Sequence, residues 1–273
     1  MAVTMADIQH LRKMTGAGMM DCKNALNEAN GDFDKAMEII RKKGQAVAAK
    51  REDRDASEGC VLAKTDGSFA AVVALQCETD FVAKNDDYIA LTEEILDAAI
   101  SNKPKSLEEL LALELPKGTV SQLITDKMAS TGEKMELGSY EYIKAPYVMS
   151  YIHLGNKLAT IVGFNKTEVD ENVAKDLAMQ VAAMNPIAVT ADAIPEDVKE
   201  KELEIARDKA REAGKPENLL DRIAEGALQK FFKEYALVQQ EYVKDSKKTI
   251  EQFLKDSDKE LEVVEFKRVS LTV

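Results

Sequence analysis

Gly59-Cys60-Val61-Leu62-Ala63-Lys64, then Asp66-Gly67, then Ser68-Phe69-Ala70-Ala71-Val72-Val73-Ala74-Leu75-Gln76 is the stretch whose reading decides the fold. Two apolar, partly β-branched runs flank a turn-favouring Asp-Gly pair, which is the short-range signature of a β-hairpin. After the polar segment Cys77 to Asp87, the period changes. Ile89, Leu91, Ile95, Leu96 and Ala99 predict a helix from about Tyr88 to Ser101. Helical patterns follow at Leu107–Leu113 and Thr119–Met128. Strand signals return over Lys134 to Pro146, Tyr147 to Leu154 and Lys157 to Phe164. Val169, Val173, Leu177, Val181 and Met184 then mark another helix, ending at Asn185-Pro186. A hairpin followed by a helix therefore occurs twice, at Cys60–Ser101 and Tyr147–Met184, which suggests a structural duplication.

Outward from this core the texture differs on both sides. Upstream, Ile8, Leu11 and Met14, then Cys22, Ala25, Leu26 and Ala29, then Phe33, Ala36, Met37 and Ile40 predict three short helices. They are separated by Thr15-Gly16-Ala17-Gly18 and Asn30-Gly31-Asp32. The charged, Ala-rich stretch Lys42 to Ser57 reads as a helical or loosely ordered linker, with a boundary near Asp55. Downstream, Pro195 to Ala213 is charged nearly throughout, Gly214-Lys215-Pro216 is a turn, and Leu220, Ile223, Ala227 and Phe231 stripe a returning helix. That pair predicts a projecting antiparallel hairpin with one mostly solvated helix. A last helix near Thr249–Leu254 and a closing strand, Leu261 to Val273, complete an α+β chain, with antiparallel sheet segments covered by helices on one face. The expected division is 1–54, a three-helix module; 55–146, the first core half; 147–190 with 236–273, the second; and 191–235, the hairpin inserted in it.

The composition fits such a chain. Of 273 residues, 45% are hydrophobic and 32% charged, as in globular proteins. No apolar run is long enough to span a bilayer, and the N-terminus has no signal or transit pattern. Three cysteines, Cys22, Cys60 and Cys77, without CxxC spacing argue against a disulfide framework or zinc site and for a reducing, cytoplasmic setting. The net charge of −12 argues against direct nucleic-acid binding. It is unevenly spread: residues 1–54 carry ten Lys and Arg against eight Asp and Glu.

Enzyme chemistry finds little footing. There is no phosphate-cradling P-loop, and Gly16-Ala17-Gly18 follows a helix where a dinucleotide loop would follow a strand. Cys77 and His153 could in principle form a thiol–imidazole pair, and nothing in the sequence places them together. The pattern is that of a binder without cofactor or metal. Two segments resist a purely structural reading. In Thr15-Gly16-Ala17-Gly18-Met19-Met20-Asp21-Cys22-Lys23, neighbours on a helix differ by about 100°, so Met19 and Met20 cannot both face the bundle. In Glu78-Thr79-Asp80-Phe81-Val82-Ala83-Lys84-Asn85, Phe81 stands in a polar loop. A loop Phe ordinarily tucks into its own core.

These two segments, in this order and spacing, closely resemble the signature regions of the elongation factor Ts family, nucleotide-exchange factors of the translational GTPase EF-Tu. Tyr151-Ile152-His153-Leu154-Gly155-Asn156-Lys157 and Ala178-Met179-Gln180-Val181-Ala182-Ala183-Met184-Asn185-Pro186 add to the match. The resemblance implies a ubiquitin-associated-like three-helix head, a two-part core and a coiled-coil arm. It implies that the head meets GDP-bound and nucleotide-free EF-Tu through Met19 and Met20. Thr79, Asp80, Phe81 and Val82 would wedge near the GTPase magnesium site, His153 and Gly155 would touch it from the second core half, and Met135 falls near an aliphatic contact. The complex would be one-to-one or two-to-two. Gln180 stands where the family often has His, and Gly138-Ser139 where many members have paired Arg. Some members carry a further C-terminal helix, whose contacts are not carried over. A protein-binding adaptor or chaperone-like module is the alternative reading.

Overall fold

A computed structural model describes residues 3–272. Met1 and Ala2 of the expected first module, and Val273 of the expected closing strand, lie outside the described residues. Helix α1 (Met5–Thr15) begins at a reciprocal cap: the Thr4 hydroxyl accepts the Asp7 N–H, and the Asp7 carboxylate accepts the Thr4 N–H at 2.9 Å. It stops at Gly16, whose φ of +69° suits the residue without a Cβ. Helices α2 (Met19–Glu28) and α3 (Phe33–Ala49) close a small bundle over Leu11, Cys22, Leu26, Ala36 and Ile40.

Strands β1 (Glu58–Asp66) and β2 (Phe69–Cys77) pair antiparallel around Gly67, as the Asp-Gly turn requires. The one-turn α4 (Asp80–Ala83), α5 (Asp86–Asn102), α6 (Leu107–Leu111), the minimal ladder β3 (Glu114–Leu115) with β4 (Gly118–Thr119), and α7 (Val120–Thr131) follow. Strand β5 (Met135–Lys144) then returns beside β2, giving the order β1-β2-β5. The second half repeats the path. β6 (Tyr147–Ile152) and β7 (Leu158–Phe164) form a hairpin, α8 (Glu171–Met184) follows, and the long pair α9 (Glu196–Glu212) and α10 (Glu217–Tyr235) is inserted. After β8 (Glu241–Tyr242), β9 (Asp245–Thr249) and α11 (Ile250–Ser257), strand β10 (Val263–Ser270) returns beside β7, in the order β6-β7-β10. The duplication suggested by the hydropathy pattern is thus present in topology.

Alternation along each strand sorts side chains between two cores. From β2, Phe69, Ala71, Val73, Leu75 and Cys77 face α5 and α7. Ala70, Val72 and Ala74, beside Ile143 of β5, face the second sheet, where they meet Ala159 and Ile161. Val162 and Phe164 of β7 turn the other way, onto α8 and α11. Each sheet therefore has helices on one face and the other sheet on its second face. This explains why β2 is apolar continuously rather than alternately. The sheets approach closely: a Cβ added at Gly163 would stand 2.8 Å from the Ala145 Cβ.

The first half of the stretch read as a linker is helix. α3 continues to Ala49 and lies on α7, where a Cβ on Gly44 would come within 3.0 Å of the Ala129 Cβ, and Ala48 packs against the first core. The inserted pair α9 and α10 is largely solvated. At its root, Val198, Phe231 and Phe232 pack with Ala188, Ile194 and Ala236. Further along, Arg207 reaches Asp221 at 2.8 Å and Arg211 reaches Glu217 at 3.0 Å.

Candidate functional site

Helix α4 is a single turn, capped by Thr79, whose hydroxyl accepts the Val82 N–H. Ala83 is buried and Val82 half-buried against the first core. Successive helical residues diverge by about 100°, so anchoring these two sends Phe81 outward. Its ring is 84% exposed. The ordinary fate of a loop Phe, insertion into its own core, is therefore not the one adopted.

Two other chain segments, 51–54 and 133–134, hold this turn. The Thr79 N–H and hydroxyl both donate to Glu133, at 3.0 and 2.6 Å. The Glu78 carboxylate accepts from Arg51 and Arg54, each at 2.8 Å, and from the Lys134 N–H at 2.6 Å. Lys134 in turn donates its ammonium to the carbonyls of Glu52 and Arg54. Burial opposes the Glu78 charge, but the hydrogen bonds from the Lys134 N–H, Arg54 and Arg51 outweigh it and hold the carboxyl at about 2. A depressed folded-state value means that the stabilisation is complete above the ordinary carboxyl range and disappears as pH falls toward 2. At roughly 1.4 kcal/mol per unit, less what solvent screens at the exposed Arg54, the contribution is about 2 kcal/mol. Denaturant midpoints of the wild type and Glu78→Gln should differ at pH 6, and the gap should shrink progressively as pH falls from 4.5 toward 2. A constant gap would show that the charge contributes nothing.

Behind the turn, the Cys77 thiol donates to the Thr79 carbonyl at 3.2 Å. Burial pushes both Cys77 and Cys60 up to about 11, so almost no thiolate exists at neutral pH. Cys77→Ser is expected to cost about 1–2 kcal/mol of stability by placing a hydroxyl in an apolar site. Function should persist, and the native protein should resist thiol alkylation. Loss of function in a folded Cys77→Ser protein would restore the thiol as a reactive group.

The turn between β6 and β7 lies at the same end of the molecule. Its Asn156 carbonyl accepts the Val61 N–H at 2.7 Å, binding it to β1. Lys157 pairs with Glu58 and is near enough to Asp80 to favour that carboxylate after its main partner, Lys84, at 2.6 Å. Gly155 holds φ at +90°, and the Tyr151 hydroxyl and His153 Nδ1 stand 3.0 Å apart. Between them Leu154 is 93% exposed. Sequence reasoning missed Leu154, though an aliphatic residue inside a Gly-containing hairpin turn is itself a signal.

The remaining candidates are spread out. Met20 is 63% exposed, while Met19 packs half-buried on the head core. Met135 is 3% exposed, paired with Cys77 across the β2–β5 ladder, and offers no surface of its own. Gln180 is fully buried. It donates to the Gln240 side chain and the Glu241 carbonyl and accepts the Val243 N–H at 3.0 Å, tying α8 to β8 with no charge. Gly138 sits at the bulge of β5. A Cβ there would strike the Gln76 side chain, which crosses this space near its bond to the Ala56 carbonyl. Among the described residues there is no cluster of three or more metal-ligating side chains, and no helix is long and apolar enough to cross a membrane.

The family profile described as Elongation factor TS matches residues 78–272. The chain is 62% identical over 272 residues to Elongation factor Ts of Porphyromonas gingivalis, with 99% of both chains covered. It is 54% identical over 273 residues to that of Azobacteroides pseudotrichonymphae, covering 100% of each. Against Elongation factor Ts of Bacteroides fragilis the identity is 49%, with 99% of both covered.

Proposed function

The chain belongs to the elongation factor Ts family, and from that membership we propose that it binds EF-Tu·GDP, promotes GDP release and holds the nucleotide-free GTPase until GTP rebinds. The observation that carries this reading is Phe81, exposed on a turn whose polar groups are engaged behind it.

No bond need be made or broken by this chain. GDP leaves a GTPase slowly because magnesium, phosphates and the phosphate loop hold one another. A protein that binds the nucleotide-free form more tightly lowers GDP affinity by the factor by which GDP lowers its own. Phe81, with Thr79, Asp80 and Val82, wedges against the nucleotide domain and disturbs the magnesium site, removing the largest positive charge from the diphosphate. Met20 of the ubiquitin-associated-like head, with Met19 behind it, grips a second point, and His153 and Gly155 a third. Met135, being buried, acts by supporting the floor of the wedge. The coiled-coil arm, α9 with α10, reaches the GTPase away from the nucleotide. The chain works in the cytoplasm as a one-to-one complex or a pair of such complexes, which light scattering distinguishes.

The test uses EF-Tu loaded with fluorescent GDP, excess unlabelled GDP and a substoichiometric amount of the protein. Multiple-turnover acceleration of release is the expected result. Binding to EF-Tu without acceleration would make the protein an adaptor instead.

A further inference from the structure

The head and the Phe81 turn meet at one carboxylate. Arg51 and Arg54 follow directly on α3, the longest helix of the head, and both donate to Glu78, the residue three before Phe81. Lys134 fastens the same tail by its backbone carbonyls and gives its own N–H to Glu78. Glu133 takes both donors of Thr79. Residues 51–54, 78–79 and 133–134 are thus locked together, and the Glu78 side chain at their centre is only 14% exposed. Upstream, α3 is braced against α7 at Gly44 and Ala129, and its last residue, Ala49, stands two before Arg51.

We propose that Glu78, Arg51 and Arg54 are positioning residues that couple seating of the head on the GTPase to presentation of Phe81. The inference rests on the exchange reading above. A helix fixed at its far end to a partner holds its two arginines in place, and these hold the segment from which the wedge projects. Head and wedge then act as one body, and the ordering of the turn is complete before Phe81 meets the nucleotide domain. Removing the arginines leaves every proposed contact residue in place while cutting the link between them. The maximal release rate should fall more than the half-saturating GTPase concentration changes, because Met20 and the β6–β7 turn still grip.

Arg51→Ala/Arg54→Ala is the decisive variant, assayed well below its melting temperature. Its maximal rate of GDP release should drop by about two- to thirtyfold, the range over which broken coupling contacts act. Amide hydrogen exchange at residues 79–85 of the free protein should speed up, and Arg51→Lys/Arg54→Lys should recover much of both losses. In a Phe81→Ala background the same pair of substitutions should cost far less, since no wedge remains to be positioned. Wild-type release and unchanged amide protection in the alanine variant would overturn the coupling. So would an equal loss with and without Phe81. If the wild type itself releases no GDP, the exchange reading falls and takes the coupling with it; the amide measurement then reports only whether the arginines order the turn.

Discussion

Phe81→Ala should slow GDP release roughly thirtyfold or more and leave the melting midpoint near that of the wild type. The two halves of this expectation come from one number, the ring's 84% exposure. In the free protein the ring contacts little, so truncation opens no cavity, and surface changes of this kind stay within about 0.5 kcal/mol. In the complex the ring passes from water into a partner pocket, a transfer of about 1.5–3 kcal/mol. Truncating such an anchor costs about 2 kcal/mol or more, and each 1.4 is tenfold. Were the ring a core residue, stability would instead fall by about 3–5 kcal/mol. Asp80→Ala should act in the same direction but more weakly, because its carboxylate is shared with Lys84 at the surface. Melting curves and stopped-flow release on the same Phe81→Ala sample decide the matter. A sample that melts and exchanges as wild type refutes the wedge.

What could be read in advance followed the range of the forces involved. The β1–β2 hairpin is local, specified by Asp66-Gly67 and its flanking runs, and was legible. That β5 returns beside β2, and β10 beside β7, depends on partners far away in sequence, and no local pattern announces it. The α3 extension was obscured by its own chemistry. Gly44 and Ala48 look like linker residues, yet their small size is what lets the helix lie close to α7. The direction of Phe81 was equally hidden, since a helix of one turn has no periodicity to read. It follows from the anchoring of Val82 and Ala83 in the core, on a turn fixed through Glu78 and Glu133 to partners between 24 and 56 residues away. Met135, which the resemblance puts roughly where the family has an aliphatic contact, is buried in this chain, and burial of a single residue at a strand end is not written in its local sequence.

Removing residues 1–54 should weaken binding to the nucleotide-free GTPase by about a hundredfold, because joining two grips on one body gains at least that factor in avidity. A chain beginning at Asp55 should still fold, since the two sheets and their helices enclose their own cores. It should melt earlier than the whole protein. Loss of α3 uncovers the α7 surface around Ala129, strips Ala48 from the first core, and leaves the half-buried Glu78 without Arg51 and Arg54. The truncation therefore mixes two effects, and Met20→Ala in the full chain separates them. That side chain is 63% exposed and belongs to none of these contacts, so its loss should leave stability alone and weaken binding about tenfold. The separate head added in trans should restore little, because the gain lies in the connection. If titration calorimetry gives equal affinity with and without residues 1–54, the head is no docking module. If only the truncation weakens binding and Met20→Ala does not, the head acts through the arginines on Glu78 and not through its methionine.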